Sequence, residues 1–183
     1  MLSYLTGWGS KIPFYKICIV GDFGVGKTTL LHQYLEKRFT PNVSSTIGSN
    51  FFVKHIKIAS SKNPFTLQIW DLAGQEHFKW VRHEFYKGAK GIVYIFDLTR
   101  QITFEHLIDW KNEIEKVLKD YSSILVGNKL DLMNQDYRII QNEESENMKK
   151  LLNACAYYET SAKMGTGVQE FFLKLVSYVY KRL

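Results

Sequence analysis

The stretch Gly21-Asp22-Phe23-Gly24-Val25-Gly26-Lys27-Thr28 decides the fold, because it fits the pattern of a loop that binds phosphate groups. The apolar residues 17–20 before it predict a strand, and Thr29 with the two leucines after it predicts a helix. Glycines let successive backbone N–H groups turn toward an anion, and a helix N-terminus adds its positive dipole. We expect Lys27 to reach the β- and γ-phosphates of a nucleotide and Thr28 to ligate Mg²⁺. A glycine-rich turn without a ligand is the alternative, which the flanking strand and helix disfavour.

The composition indicates one folded domain. With 183 residues, 45% of them hydrophobic, the chain can bury one good core, so we expect a single domain at 14–183 after a flexible extension at 1–13. No apolar run approaches the roughly 18 residues that span a bilayer, and no secretory signal is evident, which predicts a cytoplasmic protein. Cys18 and Cys155 lie in apolar contexts and are predicted to be buried thiols. The net charge of +6 comes from scattered lysines, so we expect no nucleic-acid partner.

Short apolar runs alternate with helical patterns along the whole chain. The runs that predict strands are 15–20, 51–58, 65–70, 91–96, 124–126 and 157–159. Apolar stripes at 104–118 and 168–179 predict helices, and 143–155 predicts a third with Asn142 as a candidate N-cap. This alternation implies an α/β fold of three layers, with a six-stranded, mostly parallel sheet and about five helices. The short link between the second and third runs predicts a hairpin and hence one antiparallel edge strand.

Asn128-Lys129-Leu130-Asp131 directly follows a predicted strand and suits a guanine base. The Asp131 carboxylate can accept two hydrogen bonds from N1–H and the exocyclic amine of guanine, whereas adenine presents the wrong edge. Asn128 would fix the loop, and the Lys129 stem would lie along the base. Alone, such a tetrapeptide is often a solvated turn. After a strand, in a chain with a phosphate loop, it predicts guanine selection.

Trp70-Asp71-Leu72-Ala73-Gly74-Gln75-Glu76 lies at the end of another predicted strand. Asp71 is placed to hold Mg²⁺ through a water molecule, and the Gly74 amide is placed to sense a γ-phosphate. The side chain of Gln75 can both accept from and donate to an attacking water. We therefore predict catalytic roles for Gln75 and Lys27. For Asp71 the alternative is a turn residue or a helix cap.

Five motifs occur in the order seen in the Ras superfamily of small GTPases, and within it the chain most resembles a Rab. They are GDFGVGKT, Thr46-Ile47-Gly48, WDLAGQE, NKLD and Thr160-Ser161-Ala162-Lys163. The resemblance runs from about residue 15 to residue 180. It implies a P-loop nucleotide-hydrolase fold and a Mg²⁺-dependent molecular switch that binds GTP or GDP. Such a switch hydrolyses GTP slowly and works in membrane traffic or related signalling.

The resemblance also assigns further residues. Thr46 would complete the Mg²⁺ shell, and Phe39 would lie edge-on to the guanine unless it is a core aromatic that closes the first helix. Residues 40–52 and 72–86, here called the first and second switch, would contact exchange factors, activating proteins and effectors, and the chain would be a monomer. The predicted metal set is Thr28, Thr46 and, through water, Asp71. The predicted nucleotide-binding set is Gly24, Val25, Gly26, Lys27, Thr28, Thr29, Phe39, Thr46, Gly74, Asn128, Lys129, Asp131, Ser161, Ala162 and Lys163.

Phe23 departs from the family pattern, because it stands where Ras has glycine and Rabs commonly have serine. Its side chain should project toward the γ-phosphate, where a misplacement of about 1 Å can slow a reaction roughly 10²-fold. We hypothesise that Phe23 slows hydrolysis, which would favour a GTP-loaded scaffold that recruits effectors. The alternative is that Phe23 folds back over the loop without effect. A third class, an ATPase or nucleotide kinase, is disfavoured by Asp131.

The ends of the chain differ from the family pattern as well. The chain given has no cysteine after Cys155 and begins Met1-Leu2, so we expect neither prenylation nor N-myristoylation on it. Peripheral association with membranes by another route stays open. Residues 2–12 carry apolar side chains near helical spacing, which fits either a weak interfacial helix or a flexible or packed tail. In the second switch, Phe78 and Trp80 are either exposed partner contacts or packed under the following helix.

Overall fold

The computed structural model describes residues 14–41, 44–57, 65–133 and 139–182. Its strands are β1 (Phe14–Val20), β2 (Ser49–Ile56), β3 (Phe65–Leu72), β4 (Ala89–Asp97), β5 (Ser122–Asn128) and β6 (Tyr157–Glu159). Its α-helices are α1 (Lys27–Glu36), α2 (Lys79–Tyr86), α3 (Gln101–Glu105), α4 (Leu107–Glu115), α5 (Asn142–Leu151) and α6 (Val168–Lys181). Short 3-10 turns cover Glu76–Phe78 and Leu130–Leu132. The predicted extension at 1–13, with its apolar spacing, lies outside the described residues.

The strands form one sheet in the order β2-β3-β1-β4-β5-β6. β1 pairs in parallel with β3 and β4, and β5 pairs in parallel with β4 and β6. β2 pairs antiparallel with β3, as the short link between them predicts. Since only His106 separates α3 from α4, counting them as one helix gives five in the described ranges. The predicted fold class is confirmed.

Helices cover both faces of the sheet, and neighbouring residues of β1 therefore enter two different cores. Ile17 and Ile19 belong to the core that α1 and α6 cover, while Cys18 and Val20 belong to the one under α4 and α5. In β4 all residues from Gly91 onward are buried, as expected for a central parallel strand. The predicted stripe of α6 is buried throughout, at Val168, Phe171, Phe172, Leu175, Val176 and Val179. None of the described helices is long and apolar enough to cross a bilayer.

The prediction for α5 is wrong at both ends. The helix begins at Asn142, and its N-cap is Gln141, whose backbone N–H donates to Glu144 Oε2 at 2.7 Å in a capping box. It ends at Leu151 because Asn153 adopts φ +52°, a left-handed conformation that closes helices. The helix is therefore four residues shorter at its C-terminal end than the predicted 143–155.

The cysteines differ in exposure, so the prediction of two buried thiols is wrong for one of them. Cys18 lies inside β1 and is buried, whereas Cys155 is exposed on the segment that joins α5 to β6. The backbone N–H of Cys155 donates to Ser123 O at 2.8 Å, which fixes its backbone to β5. The tyrosines that follow it, Tyr157 and Tyr158, belong to the short strand β6 and not to a longer α5.

Candidate nucleotide-binding site

A cavity of about 590 Å³ opens at the carboxyl ends of β1, β3 and β5, where open α/β sheets bind ligands. Thirteen residues of the predicted nucleotide-binding set line it, eleven of them being Gly24, Gly26, Lys27, Thr28, Thr29, Phe39, Thr46, Gly74, Asn128, Lys129 and Asp131. Ala162 and Lys163 are the other two, and Phe23 lines the cavity as well. Val25, Asp71, Gln75 and Ser161 are not among its lining residues. The other lining residues are Thr40, Pro41, Ser44, Ser45 and Leu132, none of which was predicted by name.

The phosphate loop requires glycine at two positions. Gly21 has φ +140°, and a Cβ there would lie 2.0 Å from Ile95 O in the neighbouring strand. Gly26 has φ +95°, and a Cβ there would lie 2.5 Å from Asn128 Nδ2. Gly26 is the N-cap of α1 and lines the cavity, so the N-terminus of that helix lies at the cavity. The loop therefore depends on glycine at both positions, as expected of a phosphate-binding loop.

Lys27 is buried at the base of the loop. Its Nζ donates to Gly21 O at 2.8 Å and to Asp22 O at 2.9 Å, and the residue is 6% exposed. Burial lowers the pKa of Lys27 to about 8, although the nearby Asp71 and Asp22 carboxylates oppose the shift. A phosphate group beside this amine would favour its charged form. The amine is thus placed to bind an anion in the cavity.

Three oxygen-bearing side chains meet beside Lys27. Thr28 Oγ1 donates to Asp71 Oδ2 at 2.6 Å, and Thr46 Oγ1 lies 2.9 Å from Thr28 Oγ1 and 3.3 Å from Asp71 Oδ2. Asn50 Nδ2 reaches the same Oδ2 at 3.5 Å. Burial raises the pKa of Asp71, against the lowering effect of the hydrogen bond from Thr28 and the charge of Lys27. These contacts join α1, the first switch and the end of β3 at one carboxylate.

The residues at this point fit a Mg²⁺ ion. Hydroxyl and carboxylate oxygens are the ligands that Mg²⁺ prefers, and the buried Oδ1 of Asp71 has no hydrogen-bond partner. Over the described ranges no group of three His, Cys, Asp or Glu residues converges as a metal cage. The fit is thus to an ion that shares its ligands between a few protein oxygens, water and phosphate.

The base end of the cavity is held by hydrogen bonds among three chain segments. Asn128 is buried. Its Nδ2 donates to Val25 O at 2.9 Å, while its Oδ1 accepts from Thr160 Oγ1 at 3.1 Å and from the Ala162 amide at 3.2 Å. Ser161 Oγ donates to Asp131 Oδ1 at 2.6 Å, which orients that carboxylate. Val25 and Ser161 thus support the site through these contacts.

Gly74 and Gln75 differ in their relation to the cavity. A Cβ at Gly74 would lie 2.4 Å from Asp22 C and 2.5 Å from the Phe23 amide nitrogen, so this segment packs directly on the phosphate loop. The Gln75 side chain does not line the cavity, although its backbone carbonyl is fixed by Arg82 Nη1 at 3.0 Å. A catalytic role for Gln75 thus stays a prediction that requires its side chain to turn inward.

The two phenylalanines at the cavity are exposed. Phe23 is 55% exposed, and its carbonyl accepts from Arg100 Nη2 at 3.0 Å. Phe39 is 39% exposed, so it is not the core aromatic that was the alternative for it. Its contact with a guanine ring stays a prediction. The side chain of Phe23 adds apolar surface to the phosphate end of the cavity.

Sequence reasoning missed a set of residues that supports the phosphate loop from α4, from the residue before it and, indirectly, from α2. Trp110 Nε1 donates to Asp22 Oδ1 at 2.8 Å, and His106 Nδ1 lies 2.7 Å from Asp22 Oδ2. The guanidinium of Arg82 lies over the Trp110 ring, 4.2 Å from its centroid. Trp110 lies within the predicted helix at 104–118, and the apolar pattern of that helix gives no sign of its polar contact. His106 and Arg82 are too far from the loop in sequence for any pattern to connect them to it.

This fold and cavity define a nucleotide hydrolase of the small-GTPase class, and comparison with known proteins agrees. The Ras family model matches residues 16–181. The Ras-related protein RABG3f of Arabidopsis thaliana is 38% identical over 162 residues, which cover 86% of this chain and 78% of that protein. The Ras-related protein Rab-12 of Mus musculus is 36% identical over 169 residues, 92% of this chain and 68% of Rab-12. The chain belongs to the Ras family and is a Rab-like small GTPase, an enzyme that binds guanine nucleotides and hydrolyses GTP.

Proposed function

We propose that the chain is a Mg²⁺-dependent switch in membrane traffic, in which the bound triphosphate holds both switches. The observation that carries the proposal is the meeting of Thr28, Thr46 and Asp71 at one carboxylate oxygen. Thr28 and Thr46 would hold Mg²⁺ directly and Asp71 would hold it through water. When bound, the ion neutralises charge on the β- and γ-phosphates. Loss of the γ-phosphate would let Thr46 leave this cluster and free the first switch.

The chain's own groups would perform hydrolysis by positioning and charge stabilisation, without a covalent intermediate. Lys27 would absorb negative charge that develops on the phosphates, and the Gly74 amide would donate to the γ-phosphate. Gln75 would orient the attacking water once its side chain turns into the cavity. We expect slow intrinsic turnover, because an arginine finger typically supplies roughly 10³–10⁵ in rate and the Arg100 guanidinium is already engaged by Asp97 and Phe23 O.

Nucleotide selectivity tests this proposal directly. Purified protein is incubated with Mg²⁺ and either GTP or ATP, and the bound nucleotide is identified by chromatography over time. We expect bound GTP and GDP, and no retained ATP. Asp131→Asn should weaken GTP binding at least about 100-fold, because two hydrogen bonds to a charged acceptor are altered and each contributes roughly 1.5–3 kcal/mol. Asp109→Asn, at an exposed position of α4, is the matched control. Preference for ATP would overturn the proposal.

A second candidate, a hydrolysis-poor scaffold that stays loaded with GTP, is favoured by Phe23. Its exposed ring lines the phosphate end of the cavity, and Gln75 does not. A ring in that space would hinder the approach of Gln75 and of a partner's arginine. Phe23→Ser should then hydrolyse GTP at least about ten-fold faster than the unaltered chain under single-turnover conditions. Equal rates in both proteins would remove this candidate.

We further propose that partners bind the two switches and that the chain acts as a monomer at membrane surfaces. Ile47 in the first switch is 82% exposed, and Trp80 in the second is 78% exposed. Both present large apolar side chains that a partner could bury, which supports exchange factors, activating proteins and effectors on this surface. Binding to purified effector domains in the GTP state, tested with Trp80→Ala, would check the assignment.

A further inference from the structure

Asp97, at the end of β4, is a buried carboxylate with four hydrogen-bond donors. Its Oδ1 accepts from the Thr99 amide at 2.9 Å and from Thr99 Oγ1 at 2.7 Å. Its Oδ2 lies 2.9 Å from Arg100 Nε and 2.8 Å from Lys129 Nζ. Asp97 itself is fully buried, whereas the side chains of Arg100 and Lys129 are 40% and 31% exposed. One buried charge therefore fixes both cations.

The two cations contact different loops of the site. Lys129 lies in the base motif, has φ +69° and lines the cavity. Arg100 reaches the phosphate loop, where its Nη2 donates to Phe23 O at 3.0 Å and would lie 3.6 Å from a Cβ at Gly24. Asp97 is thus the shared partner of a base-loop residue and a phosphate-loop support.

The ionised state of Asp97 is consistent with this position. Burial alone would raise its pKa, but the hydrogen bonds from Lys129 and Thr99 and the charge of Lys129 outweigh burial and lower it. The carboxylate is therefore negative at neutral pH. Two cations share this one buried charge, so removing it changes both contacts together.

We propose that Asp97 is a positioning residue that joins the base loop to the phosphate loop and slows the release of guanine nucleotide. The proposal rests on the proposed function, because it requires that guanine nucleotide occupies the cavity. Through Lys129, Asp97 holds the stem that lies along the base. Through Arg100, it holds the Phe23 carbonyl and with it the backbone that faces the phosphates.

Asp97→Asn tests the inference, since the amide keeps the size of the side chain and removes its charge. We expect a fluorescent GDP analogue to dissociate at least about ten-fold faster, which corresponds to about 1.4 kcal/mol. Asp120→Asn is the matched control, because Asp120 makes an exposed ion pair with Arg182 before β5, at the opposite end of the sheet from the cavity. Its release rate should equal that of the unaltered chain.

Two further measurements separate positioning from a general loss of structure. Asp97→Asn should still hydrolyse prebound GTP in a single turnover, whereas a disordered site would lose that activity. Arg100→Ala should also speed release, and the double variant should release nucleotide more slowly than the product of the two effects predicts, because both act on one contact. If the two substitutions act additively on the release rate, or if Asp97→Asn leaves that rate unchanged, this inference is overturned and the proposed function is not. Failure of the unaltered chain to bind GDP would overturn the proposed function and this inference with it.

Discussion

The buried ion pair between Arg82 and Glu113 gives the sharpest test of the packing under the second switch. Arg82 Nη2 lies 2.7 Å from Glu113 Oε2, and Nε lies 2.8 Å from Oε1, with both side chains under 5% exposed. Tyr86 OH donates to the same carboxylate at 2.7 Å, and Arg82 Nη1 also donates to Ala73 O and Gln75 O. Arg82→Met fills the space but leaves the Glu113 charge without its main partner. Breaking a buried pair in this way costs about 3–5 kcal/mol.

That loss is a large part of the roughly 5–15 kcal/mol that stabilises a typical domain. For a chain of this length it should lower the midpoint of thermal unfolding by about 6–20 °C. The assay is urea denaturation and thermal unfolding, with all variants at the same saturating GDP concentration, because bound ligand shifts apparent stability. Lys87→Met is the matched control, since it removes an exposed pair with Glu84 that should contribute less than about 1 kcal/mol.

A double variant, Arg82→Met with Glu113→Leu, refines the same test. Replacing both charges with apolar groups removes the unpaired carboxylate, so the double variant should recover part of the stability that Arg82→Met loses. The reasoning is refuted if Arg82→Met loses no more stability than Lys87→Met. It is also refuted if the double variant is less stable than Arg82→Met by the full cost of a second buried defect.

Three further predictions follow from the site and from the cysteines. Gly26→Ala should weaken GDP binding at least about 30-fold by equilibrium titration, because φ +95° strains an L-residue by roughly 1–3 kcal/mol and the new Cβ displaces Asn128 Nδ2. Because burial lowers the pKa of Lys27 to about 8 and bound phosphate would raise it, GDP affinity should fall by up to about ten-fold per pH unit above pH 8, with proton uptake in calorimetry. A thiol reagent should label the exposed Cys155 in the native chain and Cys18 only after unfolding, since burial raises the pKa of Cys18 to about 12. Constant GDP affinity from pH 7 to 9, or two thiols labelled in the native chain, would contradict the last two.

Local patterns predicted most of the fold because they record burial directly. The near-continuous apolar run of β4 and the three/four spacing of α6 each describe one environment along one segment, so they need no knowledge of the rest of the chain. The end of α5 was missed because it depends on a single backbone conformation at Asn153, and asparagine is compatible with either continuation.

The residues of the site likewise divide into those that local sequence predicts and those that depend on distant contacts. The glycines of the phosphate loop and the guanine motif were predictable, since their roles lie in backbone shape and in one short segment. Asp97 was not, because its importance comes from Arg100 and Lys129 meeting at one carboxylate from two strand ends. The contact that fixes the Gln75 backbone is equally invisible in sequence, because its carbonyl accepts from Arg82 of α2.

Trp110 contacts two regions of the molecule, the phosphate loop and α2. Its indole N–H is tied to Asp22 in the phosphate loop, while the face of the same ring carries the guanidinium of Arg82 from α2. A shift of α2 would therefore remove the Arg82 guanidinium from the Trp110 ring and leave the hydrogen bond to Asp22 in place. We therefore expect the fluorescence of Trp110 to change when α2 shifts relative to the phosphate loop.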